Sequence, residues 1–161
     1  MHPRDLLTAI VNDARGWLEA WAKDFTDAEA TATGGAPLNP IAWQLGHIAS
    51  AQDHVYTLFT GKPTIVPEAV WQASGLGQPP PPADVTYASL AELWALLGRT
   101  QQRLLSLLDG ASESDLERPP LEENKHFHTL VQSVYEISLH ENYHVGMIGA
   151  LRKALGKTRS S

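Results

Sequence analysis

Apolar residues recur every three or four positions in four long stretches of the chain, the spacing of one buried helical face. In the first stretch, about 4–25, the stripe is Leu7, Ile10, Val11, Ala14, Trp17, Leu18 and Trp21. The 31–37 segment, with Gly34 and Gly35, breaks it. The second stretch, about 39–60, carries Ile41, Leu45, Ile48, Val55 and Phe59. Asn39 before Pro40 reads as an N-cap followed by proline at the first helical position, and Gly61 and Pro63 end the helix. The third, about 86–109, presents Leu90, Leu93, Trp94, Leu97, Leu104 and Leu108, and stops at Gly110. The fourth, about 129–155, ends at Gly156, a residue suited to the position just past a helix. No strand-like alternation of useful length and no internal repeat is present.

Residues 61–85 differ in kind. Pro63, Pro67, the prolines at 79–82, Gly75 and Gly77 make this a long connection, with a short helical turn expected near Glu68–Ala73. A link this long inside a compact domain either crosses over or covers a site. A crossover along the full length of a bundle leaves helices two and three parallel. The pattern therefore predicts an all-α chain, residues 1–161 forming one four-helix-bundle domain.

Composition narrows the chemistry. The 161 residues are 43% hydrophobic and 19% charged, the balance of a globular domain with a real core. The net charge is -6, and the basic residues cluster only at Arg152, Lys153, Lys157 and Arg159. That cluster reads as a helix-dipole partner and solvated tail. No basic stripe can neutralise phosphates, which argues against nucleic-acid binding. There is no cysteine, so thiolate metal sites, disulfides and a cysteine nucleophile are excluded. No segment reaches the ~20 apolar residues of a membrane span, and the N-terminal residues lack a signal-peptide core. The expectation is a cytoplasmic protein without membrane partners.

Histidines occur at 2, 47, 54, 126, 128, 140 and 144. In His140-Glu141-Asn142-Tyr143-His144 the two imidazoles stand four apart, about 40° round a helix and about 6 Å along it, so both can reach one ion. They lie on the face of Ile137, Met147 and Leu151, where an imidazole needs a polar partner or a metal. Taken alone, the pair also reads as one core histidine bonded to a carbonyl and one half-exposed neighbour. The string matches H-E-x-x-H, but no His, Asp or Glu follows His144 to supply a protease's third ligand. The third ligand must lie upstream. His47, beside the apolar stripe of the second helix and next to Gly46, is the best candidate; Gly46 admits a close neighbour. Three protein ligands plus water is the arrangement of catalytic zinc. His54 is about 10 Å further along its helix, too far for the same ion, and either lines the pocket or sits at the surface. His126 and His128 read as exposed loop residues.

Two segments carry a family resemblance. His140-Glu141-Asn142-Tyr143-His144-Val145-Gly146-Met147-Ile148, with Leu151-Arg152 and Leu155-Gly156, resembles the last helix of DinB/YfiT-like proteins. Ile41-Ala42-Trp43-Gln44-Leu45-Gly46-His47-Ile48-Ala49 resembles their second helix. Met147 stands where glutamine is common, at a position that is not a ligand. With helix count and spacing, the resemblance spans nearly the whole chain. It implies an up-down-down-up four-helix bundle, a three-histidine metal site at His47, His140 and His144, and often a homodimer. It further implies either metal-dependent hydrolysis or S-transfer from a low-molecular-weight thiol.

The expected cofactor is one divalent metal ion. Zinc, nickel, iron and manganese all suit the site, with zinc or nickel favoured. Such an ion makes hydroxide near neutral pH or holds a thiol as thiolate. Glu141 is a candidate catalytic base or hydrogen-bond partner of a ligand; the competing reading is a solvated or dimer-facing carboxylate. The 61–85 segment and Trp71 are candidates for the pocket mouth, and the expected partner is a small-molecule substrate. The alternative is a non-enzymatic metal-binding or interaction module.

Overall fold

The computed structural model describes residues 2–158. Arg159, part of the basic cluster, lies outside them. Among the described residues the chain forms α1 (Pro3–Ala22), α2 (Asp27–Ala30), α3 (Ile41–Thr60), α4 (Glu68–Ser74), α5 (Leu90–Ser106), α6 (Glu113–Leu116) and α7 (Leu130–Ala154), with no strand. None of these helices is long and apolar enough to cross a membrane.

Helices α1, α3, α5 and α7 are the four anticipated, and their directions follow from which residues share a core. One apolar cluster joins Leu18 and Ala22 of α1 to Ile41 and Leu45 of α3, Leu93 and Leu97 of α5, and Ile148 and Leu151 of α7. A second joins Leu7 and Val11 to Val55 and Phe59, Leu104, and Leu130 and Val134. Helices α1 and α7 therefore run parallel to each other and antiparallel to the parallel pair α3 and α5. This is up-down-down-up, and the long link after α3 is the crossover that makes it possible. Each fully buried Leu or Ile in these clusters contributes roughly 1.5–3 kcal/mol relative to exposure.

A buried polar layer separates the two clusters and takes one residue from each long helix. Arg15 Nε donates to Glu141 Oε1 at 3.0 Å, Gln52 Nε2 donates to Glu141 Oε2 at 2.7 Å, and Thr100 Oγ1 donates to Gln52 Oε1 at 2.9 Å. Arg15 Nη2 also reaches Gln52 Oε1, at 3.4 Å. Because every member is bonded, the layer tolerates burial that an unpaired charge would not.

Several boundaries differ from those the pattern predicts. Helix α5 starts at Leu90, not near 86, because Ser89 and Glu92 form a reciprocal capping box. Pro40 is itself the N-cap of α3, in extended conformation, and Asn39 instead offers its carbonyl to Gln44 Nε2 at 2.9 Å. The short helices α2 and α6 were not anticipated; Thr26 with Glu29 and Ser112 with Asp115 box their first turns. Trp17 is 53% exposed, since it sits about 100° round from Leu18 and falls outside the narrow stripe α1 buries. The basic cluster is more than a solvated tail. Arg152 is buried and pairs with Asp24 at 2.5 Å, while Lys157 reaches Glu29 at 3.0 Å, so the end of α7 is fastened to the α1–α2 junction.

The crossover is pinned at its start. Asp53 Oδ2 accepts from Thr64 Oγ1 at 2.6 Å and from the Ile65 amide at 2.9 Å; its Oδ1 faces Arg103 Nη1 at 2.9 Å. Arg103 Nη2 in turn donates to the Pro63 carbonyl at 2.8 Å. Further along, α4 packs on α3 at Gly46. A Cβ on Gly46 would meet the Ser74 hydroxyl and crowd Val70, so glycine here leaves α4 room to lie close.

Candidate metal centre

The close approach of α4 brings the carbonyl of Ser74, at the end of that helix, 2.9 Å from His47 Nδ1. A carbonyl only accepts, so Nδ1 carries the proton and Nε2 of His47 keeps its lone pair. On α7, His144 Nδ1 lies 3.2 Å from Gln44 Oε1. The orientation of that amide is settled by its other end, because Gln44 Nε2 donates to the Asn39 carbonyl. Hence His144 Nδ1 also donates, and its Nε2 is bare. His140 Nε2 stands 3.1 Å from His144 Nε2, and His140 Nδ1 is buried without a hydrogen-bond partner.

His47, His140 and His144 each offer a ligand atom, all within 4.8 Å of one another. Among the described residues they form the one such group of three or more ligating side chains. Two nitrogens bound to one ion at about 2.1 Å lie about 3.0–3.4 Å apart at ordinary ligand angles, which matches the His140–His144 separation. The anchoring of the outer nitrogens on Ser74 and Gln44 is the support that metal-bound imidazoles use elsewhere. The donor set therefore fits a divalent ion. Trp43 stacks on His47 with ring centroids 4.5 Å apart and planes 15° from parallel, fixing that ring further.

Burial sets the electrostatics. Loss of solvation, reinforced by the neighbouring imidazoles, pushes His144 down to about 3, and His140 falls to about 4 by burial and the proximity of His47. Burial lowers His47 as well, against the opposing pull of the Ser74 carbonyl. All three are neutral near pH 7 and ready to bind a cation.

Glu141 follows His140 by one residue and so points about 100° away round α7, into the bundle. It is 1% exposed, which excludes the solvated or dimer-facing reading, and neither oxygen touches an imidazole. Arg15 and Gln52 hold both oxygens. Burial raises the carboxyl above its usual range, with the Arg15 guanidinium and two hydrogen bonds pulling the other way.

His54 is not in the triad. With Trp71, Ser50, Thr57, Thr64, Val66 and Glu68 it lines a separate pocket of about 200 Å³ between α3 and the crossover. His128 is exposed, as expected. His126 is also exposed, yet it borders a cleft of about 180 Å³ that reaches His140. Sequence reasoning missed Gln44 and Ser74. Gln44 precedes His47 by three residues on one helical face, a spacing that could have marked it; Ser74 acts through its backbone and leaves no such signal.

Comparison with known proteins agrees with this fold. The family model of the DinB superfamily matches residues 11–148. The chain belongs to the DinB superfamily. Two solved structures share its fold. A conserved protein from Enterococcus faecalis has a TM-score of 0.74 at 18% identity, covering 98% of this chain and 99% of that one. YfiT from Bacillus subtilis, described as a probable metal-dependent hydrolase with an unusual four-helix bundle topology, has a TM-score of 0.70 at 19% identity, covering 96% and 89%. No curated protein matches the chain in sequence.

Proposed function

We propose that this DinB-superfamily chain is a cytoplasmic metal-dependent enzyme acting on small molecules, a hydrolase or a low-molecular-weight-thiol S-transferase, with His47, His140 and His144 as ligands of one divalent ion. The observation that carries this reading is the pair of anchored tautomers. His47 and His144 each use Nδ1–H on a fixed acceptor, which leaves two Nε2 lone pairs without a proton in a cluster with His140. A bound ion would supply a Lewis acid able to acidify water or a thiol at neutral pH. With no cysteine in the chain, any catalytic sulfur arrives on a co-substrate.

The protein's own residues perform the remaining tasks. Gln44 and Ser74 hold the ligand rings in their tautomers, and Trp43 covers one face of His47. Glu141 belongs to the buried layer that ties the helices together and takes no part in the chemistry, because both of its oxygens are taken before any substrate arrives. The name given to YfiT supports hydrolysis over inert metal storage. Zinc or nickel is the favoured ion, since three neutral imidazoles suit both.

A homodimer is part of the reading. Five of the seven large apolar side chains exposed among the described residues lie on the adjacent helices α1 and α7: Leu6, Trp17, Tyr135, Leu139 and Tyr143. Such a concentration is characteristic of a surface covered by a partner.

Elemental analysis tests the metal assignment. Purified protein should carry one divalent ion per chain, and His47→Ala, His140→Ala and His144→Ala should each lose it after dialysis against a chelator. Full metal retention by all three variants overturns the ligand set. Turnover of small ester or amide substrates, or metal-dependent binding of a small thiol, separates the enzyme from a metal-binding module.

A further inference from the structure

The cleft that reaches His140 is lined by Ala51 of α3, Leu76 of the crossover, Phe127, and Ile137 of α7, with His126 and Glu136 as its two ionisable groups besides the ligand. Ala51 and Ile137 lie about one helical turn from His47 and His140, so the cleft meets the histidine cluster at His140 and runs along the α3–α7 seam. Its walls are fixed. The Leu76 amide donates to Ser50 Oγ at 3.1 Å, holding the crossover loop against α3. Asn124 Oδ1 accepts from the amides of His126 and Phe127 at 2.9 and 3.1 Å, which sets these two residues over the cleft. Gln132 Nε2 donates to Glu136 Oε1 at 2.9 Å and keeps that carboxylate in place. Ala51, Phe127 and Ile137 are buried, Glu136 is half-buried and His126 is exposed, so the polar groups mark the mouth and the apolar ones the interior.

We propose that the substrate of the three-histidine centre carries a short apolar arm that this cleft receives, of the size of one benzene ring or a chain of four to six carbons. The inference rests on the metal-centre reading above and adds the substrate class to it. Size and lining argue for it together. An apolar cavity of about 150 Å³ holds benzene, and this cleft is about 180 Å³, too small for a drug-sized ligand. The four apolar walls would gain by covering an alkyl or aryl group and would offer nothing to a charged one. The head group at the ion stays small and polar, while the arm points away from it along the seam.

Alkyl hydroxamates of increasing length test this, because each carries the same metal-binding head. Affinity for zinc-loaded protein, read by calorimetry, should rise from acetohydroxamate to hexanohydroxamate at up to about fourfold per methylene, at least tenfold in all, then stop rising with longer chains. Benzohydroxamate should match the longer members. Leu76→Trp, at a partly exposed loop position, fills the cleft; relative to the same variant's own affinity for acetohydroxamate, the gain with length should disappear. A flat length series in the unaltered protein overturns the inference and leaves the metal centre standing, as does a series that Leu76→Trp does not alter. If stoichiometric metal is present and acetohydroxamate itself does not bind, the ion has no open position, and the proposed enzyme function falls together with the arm cleft.

Discussion

His140 and Glu141 are consecutive residues of α7, and each belongs to a buried polar cluster, yet the two clusters are finished differently. Around Glu141 the accounts balance: the carboxylate takes hydrogen bonds from Arg15 and Gln52, and Gln52 takes another from Thr100. Around His140 they do not. His47 and His144 use their protons on Ser74 and Gln44, and the remaining nitrogen of His144 faces His140 with a lone pair. The difference teaches how to tell a structural polar layer from a site inside a helical bundle. A layer whose donors and acceptors match ties helices together; a cluster left rich in lone pairs calls for a cation.

The largest effect expected separates the two by metal. His144→Ala should abolish stoichiometric binding and leave a folded, helical protein, because it removes a neutral ring with one long hydrogen bond. Glu141→Ala should do the reverse. Stranding the buried Arg15 costs about 3–5 kcal/mol of unfolding free energy, measured by denaturant titration of metal-free protein. Comparable destabilisation by both variants would mean that the histidine cluster is structural too, and would break the comparison.

Acid sharpens it next. His140 and His144 have folded values of about 4 and 3, below the ordinary 6.5, so the unfolded chain takes up protons first. Their contribution is full above about pH 6.5 and is lost as pH falls toward about 4 and 3. At pH 5 the loss is about 2 kcal/mol for each imidazole in metal-free protein. Glu141 has the opposite sign: its raised carboxyl loses stability as pH rises through the folded value. Thermal melts between pH 7 and 5 should therefore show an acid-side decline that His140→Ala and His144→Ala flatten and Glu141→Gln does not. A decline of equal slope in all variants would assign it to other groups.

The bundle and the shared face of His140 and His144 were legible in the sequence because both depend on local spacing, whereas the approach of His47 to that pair is tertiary. Helical period exposed four long helices, and His140 and His144 share a face by their separation of four. The crossover showed itself by its prolines, and from it came the parallel pairing of α3 and α5. What stayed hidden was tertiary. Arg15, a charge next to the apolar stripe between Ala14 and Leu18, gains its meaning only when α7 brings Glu141 to it. Ser74 contributes a carbonyl, and that choice depends on Gly46 letting α4 approach. The starts of α2, α5 and α6 were within reach, since Thr26, Ser89 and Ser112 each stand three residues before an acidic partner. There the apolar period, which continues past a cap or is too short to see, outweighed the capping signal.

The smallest effect concerns the link between the histidine cluster and its supports. On the proposed ion Gln44 would act only through His144. Without its side chain the His144 ring loses the acceptor that holds Nδ1–H, and Nε2 is free to take the proton instead. Loss of such a support ordinarily lowers metal affinity 10- to 100-fold. Gln44 is a neutral amide at 3.2 Å, a longer and weaker contact than a carboxylate would make, so Gln44→Ala belongs at the low end, about tenfold. The loss should appear as faster metal release to a chelator with the ion still bound at saturation. Gln44→Glu, which keeps an acceptor for Nδ1–H but gives up the bond to the Asn39 carbonyl, should release metal more slowly than Gln44→Ala. If both variants release metal at the original rate, His144 keeps its orientation by packing alone and the tautomer argument loses its footing; if both lose the metal outright, Gln44 is needed for the fold around the site and not merely for the ring.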